Sequence, residues 1–460
     1  MKRISHRMVF LLVLMAVLAA GLILFAVQYG LHADEWVTFP GSPHIYTGNN
    51  LSSGQVTDRE GVLLLENNDS REYAEDAALR RSTMHLLGDR YGYISSPVLN
   101  SYADQLIGFS PINGLYSVAE QGSTAELTVY AAVQKAALAE LEGRKGTIGI
   151  YNYQTGEILC AVTTPTYDPD HMPDVEGDLT GAYDGVYLNR LFQTTYVPGS
   201  IFKIITAAAA LETLEDAETM TFTCTGSCEI GADTINCNGV HGTVTLQQAL
   251  GKSCNVAFGQ LAVQLGAETM TAYAEKFGIT QSLEFDGITT AAGSFDLEGA
   301  ADSQIAWAGI GQYTDLINPC QYLTVVGAIA NDGKAVQPHL MRAVHHGSLI
   351  GYEANTQELS TVLSVETAQT LSEMMHWTVT NIYGAWQFPD LYVCAKSGTA
   401  ELGPNTTSHA TFAGFIRDDR YPLAFVVVVE HGGSGSAACA PIAGRVLQAC
   451  VNAMDQEAKK

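Results

Sequence analysis

Three short groups between positions 200 and 399 hold the residues best suited to chemistry. Ser200 and Lys203 stand in Tyr196-Val197-Pro198-Gly199-Ser200-Ile201-Phe202-Lys203-Ile204-Ile205. Pro-Gly interrupts whatever precedes it, so a helix can start at Ser200. Ser200 and Lys203 are then i and i+3 on one helical face. A neutral amine beside a hydroxyl can take its proton, and the apolar neighbours Ile201, Phe202, Ile204 and Ile205 can desolvate Lys203 and lower its pKa. Free N–H groups at the helix start suit an oxyanion. Alone, Ser-x-x-Lys also fits many ordinary surface helices. Ser253-Cys254-Asn255 follows 53 residues later and opens an apolar helical pattern through Val256, Phe258, Leu261 and Leu265. A plain helix cap uses the same residue types. Lys396-Ser397-Gly398-Thr399 follows the strand-like Leu391-Tyr392-Val393-Cys394-Ala395. It places a cation and hydroxyls at a sheet edge, with room at Gly398 for a substrate backbone. An ordinary strand terminus is the simpler alternative.

Positioning these groups takes a sheet and helices. Tyr130–Leu141 has helical spacing. Thr147–Asn152 and Ile158–Val162, joined through Gln154-Thr155-Gly156-Glu157, form a hairpin. Ala410–Ile416 and Tyr421–Glu430 form a second strand pair, and Leu423–Val429 is apolar throughout, as in a strand covered on both faces. A helix is expected over Pro441–Met454, and Gly432-Gly433-Ser434-Gly435-Ser436 reads as a connection. Strands at both ends of a helix-rich middle imply one sheet built from both ends of an α+β domain. Upstream, Gly54–Leu65 reads as two short strands about a turn, and Val98–Leu106 as a short helix.

The chain has 460 residues, enough for two or three domains. With 47% hydrophobic and 15% charged residues it can bury a core, which excludes a disordered acidic protein. Its net charge of −25 repels phosphate backbones, so no nucleic-acid partner is expected. Three bases, Lys2, Arg3 and Arg7, precede an uncharged apolar run over Met8–Val27. Twenty helical residues span roughly 30 Å, the bilayer core, whereas the apolar region of a cleaved signal peptide is about 7–15 residues. An uncleaved single-pass anchor is expected, with a cytoplasmic N-terminus set by the flanking bases. All 48 acids follow the span with 20 bases, leaving −28 outside the membrane.

Ser-x-x-Lys, Ser-x-Asn and Lys-(Ser/Thr)-Gly, in this order, define the active site shared by penicillin-binding proteins and serine β-lactamases. The sequence resembles that superfamily over nearly its whole length, and within it the class B penicillin-binding proteins of the short-pedestal type. Further matches are Asp58-Arg59-Glu60-Gly61, Pro165-Thr166-Tyr167-Asp168-Pro169, Gly309-Ile310-Gly311-Gln312 and Ala328-Ile329-Ala330-Asn331-Asp332-Gly333. Ser397 replaces the more frequent Thr. The resemblance implies a central antiparallel sheet flanked by helices plus a helical subdomain. The expected layout is a tail at 1–7, an anchor at 8–28, a pedestal at 29–126 and a transpeptidase domain at 127–456. It implies cross-linking of peptidoglycan stem peptides through a Ser200 acyl-enzyme with release of D-Ala. Lys203 is then the base, Ser253 a proton relay and Asn255 a clamp on Lys203 and the substrate amide. The N–H groups of Ser200 and Thr399 form the oxyanion hole, and Lys396, Ser397 and Thr399 take the substrate carboxylate. β-Lactams are expected to acylate Ser200, and a separate SEDS-type polymerase is the expected membrane partner. The alternatives are a membrane-anchored serine β-lactamase and a catalytically idle β-lactam-binding scaffold. No Glu-x-x-Leu-Asn stretch of the class A lactamase kind is found. No cofactor is required.

The nine cysteines cannot all pair within one chain. Cys224, Cys228, Cys237 and His241 cluster, and Cys254 lies inside Ser-x-Asn. If Ser253 and Asn255 face the cleft, Cys254 faces away, toward the cluster. Cys224, Cys237, His241 and Cys254 then make a possible structural zinc site, with Cys228 as an alternative ligand. A Cys224–Cys237 disulfide or buried free thiols are the competing readings. The remaining histidines, His409 included, read as structural.

Overall fold

The computed structural model describes residues 2–39, 46–47, 50–51, 54–67, 71–106, 109–110, 114–115, 123–401, 403 and 406–460. Its centre is a five-stranded antiparallel sheet in the spatial order Ile158–Thr164, Gly146–Asn152, Leu423–Val429, His409–Ile416, Val393–Ala400. The two ends of the domain thus meet, with Val427 opposite Ile148 and Lys396 opposite Ala413. Period-2 alternation divides the central strand between two cores. Leu423, Phe425, Val427 and Val429 pack with the Ala131–Leu141 and Gly435–Glu457 helices. Ala424, Val426 and Val428 pack on the opposite face with Leu323, Val325 and Val326 of the Pro319–Ala330 helix. Burial on both faces accounts for the unbroken apolar run.

The C-terminal helix starts at Gly435 rather than Pro441, which lies inside it. The loop read as a mere connection therefore delivers a helix N-terminus to the end of the Val393–Ala400 strand. The expected Val98–Leu106 helix is two short pieces, Pro97–Ser101 and Ala103–Leu106.

A second sheet, six-stranded, runs Leu349–Glu353, Met341–His346, Thr124–Leu127, Gly54–Thr57, Leu63–Asn67, Arg71–Tyr73. The cut at 126/127 falls within one of its strands, and residues 341–353 join it from deep in the downstream region. The pedestal is therefore continuous with the larger domain. The reason is visible in Asp58-Arg59-Glu60-Gly61. Asp58 is fully buried. Its Oδ1 accepts the N–H groups of Glu60 and Val62 at 2.9 and 2.8 Å, and its Oδ2 accepts that of Ala131 at 2.9 Å, the first residue of the Ala131–Leu141 helix. Arg59 reaches Glu457 at 3.1 Å and Glu157 at 3.4 Å, with its guanidinium over the Tyr130 ring. Arg80 makes a second tie, a two-pronged pair with Asp168 at 2.7 and 2.6 Å that holds the Asp168 carboxyl well below its ordinary range.

Among the described residues, one helix is long and apolar enough to cross a membrane, over His6–Ala33. It lies within Lys2–Val37, and its apolar side chains are exposed, consistent with a single-pass anchor.

Asp58→Ala removes the acceptor of three N–H groups, that of Ala131 buried, and is expected to cost about 2–4 kcal/mol. A drop in thermal midpoint larger than that of Asp58→Asn, which retains one acceptor oxygen, checks this; an unchanged midpoint contradicts it.

Candidate active site

Ser200 sits in a tight turn, Gly199–Phe202, which runs straight into the Lys203–Thr213 helix. Gly199 (φ 56°) and Gly311 (φ 84°) make this turn possible. Gly199 N–H donates to Gly311 O at 2.9 Å, and a Cβ on Gly311 would lie 1.9 Å from Gly199 O. The Gly309-Ile310-Gly311-Gln312 motif is thus the seat of the nucleophile turn, and Thr206 Oγ1 secures it by donating to Gly309 O at 2.8 Å. From the other side, a Cβ on Gly398 would meet Pro198 O at 2.6 Å. The turn and the Lys396–Thr399 strand end are therefore in direct backbone contact.

Lys203 is fully buried. Its Nζ lies 3.1 Å from Ser200 Oγ, 2.9 Å from Ser253 O, 3.2 Å from Ser253 Oγ and 2.7 Å from Asn255 Oδ1. Burial, reinforced by the positive charge of Lys396, pushes its pKa well below the ordinary lysine value. A neutral amine donates its two N–H bonds to the Ser253 and Asn255 carbonyl oxygens, leaving the lone pair for the Ser200 hydroxyl proton. Lys396 is also fully buried, and burial lowers its pKa to about 7. Its Nζ donates to Ser253 Oγ at 3.1 Å and to Ser397 O at 2.9 Å. One hydroxyl, that of Ser253, therefore bridges both amines.

Ser253 adopts φ 55°, an uncommon backbone for a non-glycine residue. Ser253 N–H donates to Leu250 O at 3.1 Å and Cys254 N–H to Ala249 O at 2.9 Å, which fix the loop. Asn255 Nδ2 donates to Asn236 O at 2.9 Å, fixing which way the amide faces Lys203.

All eight residues expected in the site converge. Ser200, Ser253, Asn255, Ser397 and Thr399 line a cavity of about 330 Å³, with Lys203 and Lys396 behind its wall and Gly398 at its seam. Residues not anticipated from the sequence also belong here. Tyr383 OH accepts Ser397 N–H at 2.9 Å and lies 2.9 Å from Ser397 Oγ. Gly435 N–H donates to Thr399 Oγ1 at 3.2 Å, and a Cβ there would fall 2.1 Å from Gly398 O. Asn238, Lys252, Ile382, Glu401, Ser434 and Ser436 also line the cavity. The Gly-Ser-Gly run ahead of an apolar pattern was the available signal for the last two; Tyr383 has no local signal.

Cys254 turns away from the cleft and is buried beside the hairpins of residues 221–245. Cys224, Cys237, His241 and Cys254 bring one ligand atom each to within 4.8 Å of one another, and Cys228 is outside the group. All nine cysteines are unpaired, so the Cys224–Cys237 disulfide is not formed. Five others, Cys160, Cys320, Cys394, Cys439 and Cys450, are buried core thiols.

Comparison with known proteins agrees with this geometry. Residues 146–448 match the penicillin binding protein transpeptidase domain. The chain is 29% identical over 414 residues to the peptidoglycan D,D-transpeptidase PbpA of Mycolicibacterium smegmatis, covering 83% of this chain and 79% of that protein. It superimposes on penicillin-binding protein A of M. tuberculosis, solved as a ceftriaxone acyl-enzyme, with a TM-score of 0.75 and 25% identity over 86% of this chain and 98% of that one. A D,D-transpeptidase domain from Eggerthella lenta gives a TM-score of 0.74 and 27% identity over 87% of this chain and 98% of that one. The matched domain spans most of the sequence and contains all three motif groups, and the chain belongs to the penicillin-binding protein transpeptidase family.

Proposed function

We propose that the chain is a peptidoglycan D,D-transpeptidase that works through a Ser200 acyl-enzyme and is covalently inhibited by β-lactams. The observation that carries this is Lys203: a fully buried amine 3.1 Å from the Ser200 hydroxyl, with carbonyl acceptors for its own N–H bonds. Lys203 takes the Ser200 proton as Oγ attacks the carbonyl between the two terminal D-alanines of a donor stem peptide. The N–H groups of Ser200 and Thr399 receive the oxyanion. The C–N bond breaks, and the departing D-Ala amine takes a proton through Ser253, whose Oγ lies 3.2 Å from Lys203. Lys396, Ser397 and Thr399 hold the donor carboxylate, and Asn255 holds Lys203 and the substrate amide. An amine of a neighbouring stem peptide then attacks the ester and frees Ser200. A β-lactam opens at the same step but keeps its amine tethered, which stalls the ester.

The apolar helix supports an anchor, and the bases Lys2, Arg3 and Arg7 ahead of it support a cytoplasmic N-terminus with the catalytic domain on the far side. A separate SEDS-type glycan polymerase in the same membrane would supply the strands to be joined.

Exposure to penicillin should add one drug mass to the peptide bearing Ser200, stable over many minutes, and nothing to Ser200→Ala. Rapid loss of the adduct would indicate a β-lactamase, and no adduct would defeat the acyl-enzyme reading. Lys203→Met should slow labelling by roughly 10²–10⁴-fold. Its thermal midpoint should not fall, since no amine is then held out of water; a fall would mean that Lys203 is chiefly structural.

The acylation rate should be bell-shaped in pH. Lys203 is a base only when deprotonated, so activity is lost as pH falls through its lowered pKa. Lys396 binds a carboxylate only when protonated, so activity is lost as pH rises through about 7 in the free enzyme. Lys396→Arg keeps the charge and should move the alkaline limb upward. A flat profile through neutrality contradicts these assignments.

A further inference from the structure

We propose that Cys224, Cys237, His241 and Cys254 bind one zinc ion, and that the ion holds the Ser253–Asn255 loop in its catalytic shape. The inference rests on the transpeptidase reading for its catalytic half and on geometry alone for the metal. A tetrahedral ion with Zn–S of about 2.3 Å and Zn–N of about 2.0 Å sets S···S edges near about 3.8 Å and S···N edges near about 3.5 Å. Cys237 Sγ lies 3.8 Å from Cys254 Sγ and 3.5 Å from His241 Nδ1. All four ligand atoms fall within 4.8 Å of one another. A disulfide needs about 2 Å between sulfurs and would use two of the four groups, stranding the others.

Separate elements bring the ligands together. Cys224 ends the Thr221–Cys224 strand opposite Gly242, next to His241. Cys237 follows the Asp233–Asn236 strand, and its N–H donates to Gly226 O at 2.9 Å. Cys254 caps the Asn255–Lys276 helix. Backbone donors surround the sulfurs: Asn255 N–H points at Cys237 Sγ at 3.3 Å and Ala257 N–H at Cys254 Sγ at 3.5 Å. Such N–H groups, aimed at the sulfurs, offset the excess negative charge of three thiolates on one divalent ion. Cys224 and Cys254 are buried, whereas Cys237 and His241 are partly exposed, which leaves a path for the ion.

The coupling to catalysis is covalent in sequence and direct in space. Cys254 lies between Ser253 and Asn255. Ser253 is held at φ 55°, a conformation that must be imposed by its surroundings. Asn255 gives its N–H to Cys237 and its side-chain amide to Asn236 O, and its Oδ1 holds Lys203 at 2.7 Å. One ion at this point would tie the hairpin insert to the loop that orients the base.

The test uses the full chain in detergent micelles, purified without chelator. Elemental analysis should find about one zinc per chain. His241→Ala should lose the ion. His241→Cys, a Cys₄ set, and Cys228→Ser should keep it. Removing zinc from the unaltered chain under reducing conditions should slow covalent labelling by fluorescent penicillin by roughly 10–100-fold, and adding zinc back should restore it. This arm stands even if His241→Ala fails to fold. Full-rate labelling without zinc, or a Cys237–Cys254 disulfide in the active protein, overturns the proposal. A chain that holds zinc and never labels refutes the transpeptidase reading instead.

Discussion

Two amines buried around one hydroxyl govern this structure. Lys203 and Lys396 are both fully buried, and both contact Ser253 Oγ, at 3.2 and 3.1 Å. Two charges no more than about 6 Å apart repel by about 2–3 kcal/mol at an effective dielectric of about 20. Desolvation adds to that penalty for each. The pair therefore relaxes by losing a proton. Lys203, buried beside Ser200 and facing the charge of Lys396, is the group placed to be neutral. The same constraint that makes the site costly to fold makes the nucleophile reactive.

Holding two amines in this state requires rigid surroundings with no room to spare. Gly311 and Gly199 bring backbone against backbone under the nucleophile turn, while Gly398 and Gly435 do so at the strand end. A side chain at Gly311 or Gly435 would drive neighbouring segments apart by more than an ångström. The central sheet supplies the fixed frame, because burial on both faces leaves its strands no freedom to slide. The pedestal is bound to that frame by Asp58, Arg59 and Arg80, each pairing with groups distant in sequence.

Much of this was legible in the sequence. Ser200, Ser253, Asn255, Ser397 and Thr399 line the cleft, and Lys203, Lys396 and Gly398 gather directly behind them. The hairpin and the two-ended sheet also follow from hydrophobic pattern, since an unbroken apolar run of seven residues such as Leu423–Val429 suits a strand covered on both faces. The cysteine–histidine cluster was legible because Cys224, Cys237, His241 and Cys254 sit at short spacings. What was not legible depends on long-range packing. Tyr383 gains its place only through a turn that follows the Val365–Thr378 helix. Ser434 and Ser436 resemble a linker until the helix behind them is seen to start at Gly435. A boundary read along the chain misses the Met341–His346 strand, which pairs with Thr124–Leu127 and carries the Leu349–Glu353 strand on its other edge. Local pattern identifies a strand; it does not identify the strand's neighbour.

The protonation state of Lys203 tests the account most directly. With ten lysines in the chain, ¹³Cε-lysine NMR of the protein, assigned with a Lys203→Arg variant, can follow each ammonium group through a pH titration. The account predicts a Lys203 resonance that is already that of a neutral amine at neutral pH, far below the ordinary lysine range. A Lys203 that stays protonated until the pH of an exposed lysine would contradict it.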